Sequence, residues 1–217
     1  MTSETYAPDG SPIALYAALG PMGEPEVIHA AVPEGAAILE LGAGAGRITH
    51  GLLDLGHDVV AVDQSPAMLS RIHGAETVLA DIETLELDRR FPVVVLASNF
   101  VNDVDRNRVR AFLDCCARHV ASAGQVLVQG FPRDWRPDPS WHDLTGARAR
   151  LRSFTLDDRI VRGEMEYEVD GETLVHAFES VLVTVDQLDR ELEASGLRRR
   201  RFLDESGSWL EAVPRQS

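Results

Sequence analysis

The chain has 217 residues, of which 44% are hydrophobic and 26% charged, enough to bury one core of its own without disulfides. Its net charge of −14 disfavours an extended nucleic-acid footprint, which needs a basic face. All 21 basic residues are arginine, which removes a lysine Schiff base, a pyridoxal phosphate enzyme and a P-loop lysine together.

The first ten residues show no basic-then-apolar leader, and no run approaches the ~18 apolar residues of a membrane span, so a cytoplasmic protein without a membrane partner is expected. Residues 11–19 place Pro12 after a capping serine with apolar residues at helical spacing and predict a short helix. A second short helix is expected over 26–32, stopped by Pro33-Glu34-Gly35. The following strands, 37–41, 59–62, 93–96 and 126–129, are continuous apolar runs, the pattern of strands buried on both faces. Helical stretches between them supply right-handed crossovers, giving a doubly wound parallel α/β sheet whose ligand edge lies at the strand C-termini. Cys115 and Cys116 fall in the periodic stretch 109–120, where adjacent residues point about 100° apart, so packing is their expected role.

The first strand runs into Glu40-Leu41-Gly42-Ala43-Gly44-Ala45-Gly46-Arg47. Glycines there allow tight bends and close approach of a ligand, with the free N–H groups at the next helix start facing a polar or anionic group. A dinucleotide fingerprint would need its third glycine at Arg47, so the spacing argues against NAD. Glu40 would repel a pyrophosphate but suits a ligand carrying an ammonium or sulfonium charge. Nineteen residues on from Gly44, the second strand ends in Asp63, where a ribose hydroxyl pair would be held.

With these residues in this order, the chain resembles the class I S-adenosylmethionine (SAM) dependent methyltransferases of small-molecule, bacterial type. The resemblance implies a mostly parallel seven-stranded, Rossmann-like sheet with 77–82 as third strand and adenine loop, and 199–203 and 209–213 as the last two strands, the final one antiparallel. It implies SAM as cofactor, S-adenosylhomocysteine as product and a small-molecule acceptor. The implied cofactor residues are Glu40, Gly42, Gly44, Gly46, Asp63 on the ribose with Gln64 beside it, Met68 on the adenine face, Asp81 and Ile82 at the adenine edge, and Ser98 and Asn99 at the methionine end. Tyr16, with Tyr6, would close over the cofactor from the leading helix.

After the fifth strand, residues 131–142 are proline-rich yet carry Trp135 and Trp141. They read either as a surface loop pinned by aromatic packing or as an acceptor-binding lid. Stretches 148–155, 159–169 and 172–184 alternate with period two, with Asp170-Gly171 as a hairpin turn, and predict an antiparallel β-meander before a helix over 185–194. The whole reads as a single domain, 1–217, with an N-terminal helical cap at 1–35 and a lid and meander insert at 132–184. In the family such extra strands roof the acceptor or dimerise, so a homodimer through the meander is an expectation.

Methyl transfer demands positioning and exclusion of water more than a fixed set of side chains. Candidates for acting on the acceptor are His142, Asn99 and His176, with Asp134 a further option and Phe100 a packing surface. His142 has an equally good reading as a solvent-exposed loop residue. The remaining histidines, 29, 50, 57, 73 and 119, read as structural. No metal cluster is evident, since the acidic run Asn102-Asp103-Val104-Asp105 lacks a second carboxylate group. Arg198 to Arg201 would put two side chains on each face of an edge strand kept soluble by charge. The expected reaction is methylation of an N or O atom of a small molecule; the alternatives are a SAM-binding protein of non-methylating chemistry, such as a cyclase, or a macromolecule methyltransferase.

Overall fold

A computed structural model describes residues 6–8 and 10–215. Residues 1–5, 9, 216 and 217, which the expected helical cap and single domain include, lie outside the described residues. Seven strands form one sheet in the order β10-β11-β5-β4-β1-β2-β3. They are β1 (Ala37–Leu41), β2 (Asp58–Asp63), β3 (Glu76–Leu79), β4 (Phe91–Leu96), β5 (Val120–Gln129), β10 (Leu197–Phe202) and β11 (Trp209–Pro214). The five strands from β3 to β5 are mutually parallel, and β11 is antiparallel to both of its neighbours. Strand order reverses between β1 and β4, so a crevice opens at their carboxyl ends, where this sheet class binds ligands.

The continuous apolar runs are explained by two cores. Alternate residues Leu39, Leu41, Val94 and Leu96 pack with Phe112 and Leu113 of α5 (Arg106–His119) and Leu192 of α6 (Val185–Ala194). Their neighbours Ile38, Val93 and Val95 pack on the opposite face with Ile28 of α2 (Glu24–Ala31) and Ile48 and Leu52 of α3 (Arg47–Asp54). Cys115 and Cys116 are buried in the first core, and burial pushes both thiols up, Cys115 to about 11. The acidic run caps α5: Asp105 accepts from the N–H of Asn107 and Arg108, and Asp103 accepts from Asp105 N–H.

Several boundaries differ from expectation for local reasons. Pro12, one residue after the serine expected to cap it, is the N-cap of α1 (Ile13–Ala18). Helix α2 begins at Glu24, after Gly23 in the left-handed region and with Pro25 in its first turn. Strand β5 begins at Val120, pairing with Phe91 before a register shift, six residues before its apolar run. In β10 a bulge between Arg199 and Arg201 breaks the two-by-two alternation. Arg199 pairs with Asp189 at 2.6 Å, whereas Arg200 and Arg201 both reach the buried carboxylate of Glu211, at 3.0 and 2.6 Å. Three of the four arginines are thus neutralised within the fold.

The meander is a separate sheet, β6-β7-β8-β9, built from His142–Leu144, Ala147–Asp157, Ile160–Val169 and Glu172–Val181. Its first strand, β6, begins at the last residue of the proline-rich stretch, ahead of the three strands expected. Asp170 and Gly171 both take positive φ, 50° and 82°, as the hairpin turn requires. The sheet is tied down at two places. Thr145 O accepts from Gly20 N–H at 2.9 Å beside α1. At the other end buried Asn102 donates to Val181 O at 2.8 Å and accepts from Phe131 N–H at 3.0 Å. The meander therefore spans the ligand edge from the N-terminal cap to the loop after β4.

Candidate cofactor and acceptor site

At the carboxyl ends of β1, β2 and β4 lies a cavity of about 220 Å³, lined among others by Tyr16, Glu40, Gly42, Gly44, Arg47, Asp63, Met68, Ser98 and Phe100. A second, of about 100 Å³, shares Gly42, Asp63 and Phe100 with it and adds Gln64, Asp81 and Ile82. Phe100 stands at the junction: a Cβ on Gly42 would lie 2.4 Å from its ring. Only glycine lets the ring lie there, and Gly42, Gly44 and Gly46 all have positive φ, 74°, 56° and 89°.

The glycine loop is not an open cradle of amides. Gly42 and Ala43 N–H donate to Val62 O at 2.8 and 2.9 Å, Gly46 N–H to Ala43 O at 3.0 Å, and Gly44 N–H to Asp63 Oδ2 at 2.8 Å. These four loop N–H groups are spent on the protein itself, three of them because the end of β2 lies within hydrogen-bond reach of the loop. What the loop offers a ligand is shape, with charge supplied by side chains. Asp63 also accepts from Ser65 N–H through Oδ1, at 2.8 Å, so its carboxylate is fixed at the cavity wall.

Glu40 points from β1 to the α3 side, 2% exposed, accepting from Thr49 Oγ1 at 2.6 Å. Burial pushes its carboxyl up to about 7, against the opposing pull of Thr49 and Arg47. A buried carboxylate with one hydroxyl donor is a receptor for a cation. Arg47, the one cation lining the larger cavity among the described residues, is ion-paired with buried Glu24 at the start of α2. That pair joins the N-terminal cap to the first turn after the glycine loop. Arg47 and Glu24 were not singled out from sequence; an arginine directly following the third glycine was the available signal.

All of the expected cofactor residues except Gly46, Asn99 and Tyr6 line one or other of the two cavities. Met68 lines the larger cavity, packed with Ala7 and Ile13 beneath Tyr16, whereas Asp81 and Ile82 line the smaller one. It is therefore on the cap side, because the short helix α4 (Pro66–Leu69), capped by Ser65, turns it toward α1. Asp81 caps the 3-10 turn Ile82–Thr84, accepting from Glu83 N–H at 2.9 Å. Ser98 and Asn99 both adopt left-handed φ, 56° and 60°, a strained pair of non-glycine residues at the mouth of the site. Ser98 lines the larger cavity; Asn99 lines neither. Tyr6 is more than half exposed and lines neither as well.

The acceptor candidates are dispersed. Direct cross-strand partners share a face of an antiparallel sheet. By register His142 pairs with Ala149 and, through Tyr167, with Leu174, while His176 pairs with Met165, so both histidines belong to the same face. They stand on opposite edge strands, three strand spacings or about 14 Å apart, and cannot act on one atom together. His142 is half exposed with Nε2 3.2 Å from Asp138, which matches its plainer reading. No residue of 131–142 lines either cavity. Trp135 stacks on Phe131, and the Trp141 ring lies under the guanidinium groups of Arg148 and Arg150 at 4.5 and 4.8 Å, so both tryptophans pin the segment. Tyr167 of β8, a strand in contact with α1, was missed: it is largely buried, and burial, with the charge of Tyr16 adding to it, pushes its hydroxyl up to about 12. The other histidines serve structure, as in His29 Nδ1 to His57 Nε2 at 2.9 Å and Leu87 N–H to His119 Nε2 at 3.0 Å.

Residues 38–124 match the family model described as a methyltransferase domain. Over this stretch, less than half of the chain, the protein is similar to methyltransferases. An uncharacterized methyltransferase of Mycobacterium bovis is 38% identical over 104 residues, 46% of this chain and 43% of that protein, so the matched part spans less than half of that relative. The methyltransferase fold extends over nearly the whole chain: the crystal structure of DesVI from Streptomyces venezuelae superposes with a TM-score of 0.73 at 19% identity, covering 93% of each chain. CalS10, described as an amino pentose methyltransferase from Micromonospora echinaspora, superposes with 0.68 at 19% identity over 95% of this chain and 93% of its own. Among the described residues no helix of the chain is long and apolar enough to cross a membrane, and no group of three or more metal-ligating side chains is found.

Proposed function

We propose that the protein is a methyltransferase that uses SAM to methylate an N or O nucleophile of a small molecule. The observation that carries the reading is the charge pattern of the larger cavity: Glu40, Arg47 and Asp63 face one space that continues past Phe100 to Asp81 and Ile82. A ligand with an ammonium, a carboxylate and a ribose, joined to an adenine, meets a complementary group at each point. When bound, SAM supplies a methyl carbon made electrophilic by its sulfonium.

The chain's own residues do the rest. Glu40 holds a cation in a dry site, where the interaction is strong. Arg47 holds a carboxylate while staying tethered to Glu24. Asp63, fixed by two backbone N–H groups, receives ribose hydroxyls, and Asp81 and the backbone of Ile82 read the adenine edge. Tyr16, Tyr167 and Phe100 exclude water from the reacting side. His176, on the same meander face as Tyr167, takes a proton from the acceptor where one must be removed.

Calorimetry with S-adenosylhomocysteine tests the cofactor half, with Asp63→Ala as control. Transfer of labelled methyl from SAM into a fractionated cell extract tests the acceptor half. Label in the small-molecule fraction is the expected result. Label confined to protein or nucleic acid refutes the acceptor class, and tight binding with no label in any fraction favours the non-methylating alternative.

A further inference from the structure

Strand β4 passes into a turn that its own residues disfavour. Ser98 and Asn99 take φ of 56° and 60°, the left-handed region that glycine enters freely and serine does not. Asparagine tolerates it better, because its side chain can bond locally, so most of the cost falls on Ser98, about tenfold against the turn. The turn folds Phe100 back over β1. Its ring lies where a Cβ on Gly42 would be 2.4 Å away, and it meets Phe112 edge to face at 5.3 Å. Phe100 lines both cavities, and Ser98 lines the larger one together with Glu40 and Gly42. The wall shared by the two cavities therefore exists only while the chain keeps this turn.

A side chain from the neighbouring strand holds it. The parallel ladder between β4 and β5 ends at Leu96 and Val128, so Ser98 N–H lies beyond it. That N–H donates instead to the side-chain carboxamide oxygen of Gln129, Oε1, at 2.7 Å. Gln129 is the last residue of β5 and pairs in register with buried Trp209 of β11, so its backbone is fixed by the sheet. It lines neither cavity itself, and its influence on the site runs through Ser98. A hydrogen bond of this kind shifts a local equilibrium by about two- to tenfold, enough to offset a large part of what serine loses in the turn.

We propose that Gln129 is a positioning residue for the cofactor: by holding Ser98 N–H it keeps the left-handed turn in place, and with it the Phe100 wall between the two cavities. The proposal rests on the reading of these cavities as the SAM site. A ligand that needs the wall binds in proportion to the fraction of molecules that have it. A loosened turn therefore raises the apparent Kd without removing any contact to the ligand.

The test is calorimetry with S-adenosylhomocysteine on the full chain, wild type first. No binding by the wild type defeats the cofactor reading and the proposal with it, whereas binding by the wild type leaves the variants to judge Gln129 alone. Gln129→Met keeps the length of the side chain without its acceptor and should weaken binding about three- to tenfold. Gln129→Glu keeps an acceptor oxygen at the same reach and should recover most of that loss. In a Ser98→Gly background, where the turn carries no steric cost, Gln129→Met should weaken binding by less than about twofold. Exchange of the Ser98 amide, followed by NMR without ligand, should be faster in Gln129→Met than in the wild type or Gln129→Glu. Wild-type affinity in Gln129→Met, even with a lower Tm, would reduce Gln129 to a part of the sheet edge and overturn the proposal. So would a Gln129→Met effect of equal size with serine or glycine at position 98, a Gln129→Glu variant as weak as Gln129→Met, or unchanged exchange of the Ser98 amide.

Discussion

Replacing Asp63 by asparagine separates two roles that one carboxylate performs. In the wild-type protein it accepts from Gly44 N–H and Ser65 N–H, each at 2.8 Å. An asparagine can keep one of these through its amide oxygen, but its NH2 then confronts the other donor. A hydrogen bond to a charged acceptor contributes about 1.5–3 kcal/mol, so the fold should lose about 1–3 kcal/mol once partial exposure is allowed for. For a chain of this size each kcal/mol moves Tm by about 2–4 °C, giving a fall of about 2–12 °C in differential scanning fluorimetry. The ribose loses a charged acceptor of similar worth, and S-adenosylhomocysteine should bind about 10–100-fold more weakly in calorimetry. A lower Tm with affinity within twofold of wild type would show that Asp63 only staples the loop. No change in either would refute the geometry of the loop itself.

Glu40 makes binding and stability depend on pH in opposite directions. Its folded pKa, about 7 against an ordinary 4.5, means that the folded protein holds this proton more tightly than the unfolded chain. Stability contributed by the group is therefore present below pH ~4.5 and lost as pH rises through 7, by about 3 kcal/mol in total, and Glu40→Gln should flatten that slope in urea titrations. Cofactor affinity should instead rise with pH up to about 7 and level off, with proton release on binding near pH 6 that vanishes in the same variant. Gly42→Ala combines a left-handed φ with a Cβ 2.4 Å from the Phe100 ring and should cost about 2–4 kcal/mol, part of it recovered by adding Phe100→Leu. Arg47→Met strands the buried carboxylate of Glu24 and should cost about 3–5 kcal/mol, whereas the double variant with Glu24→Gln should cost less while still weakening cofactor binding; equal losses would deny the pairing.

The sequence by itself determined the sheet and the identity of the cofactor edge. Strands buried on both faces read as unbroken apolar runs, and a glycine triplet between Glu40 and Arg47 has few uses other than a tight ligand turn. Asp63 was legible because it ends the second strand nineteen residues after Gly44, whereas Asp81 and Tyr16 followed from the family resemblance. Tertiary structure decided what spacing cannot carry. That Glu24 neutralises Arg47 joins residues 23 positions apart. That Phe100 lies on Gly42 depends on the left-handed turn at Ser98 and Asn99, residues with no intrinsic need for it. Trp141 stood out in the sequence as an aromatic in a loop, but its ring faces are taken by Arg148 and Arg150 of the next strand. The bulges at Arg152 and Arg200 shift which residues share a face, and with period two a single extra residue reverses every later assignment. Local pattern thus reports the burial of a strand, while the partners of a polar or aromatic side chain are set by chain segments that meet only in the folded protein.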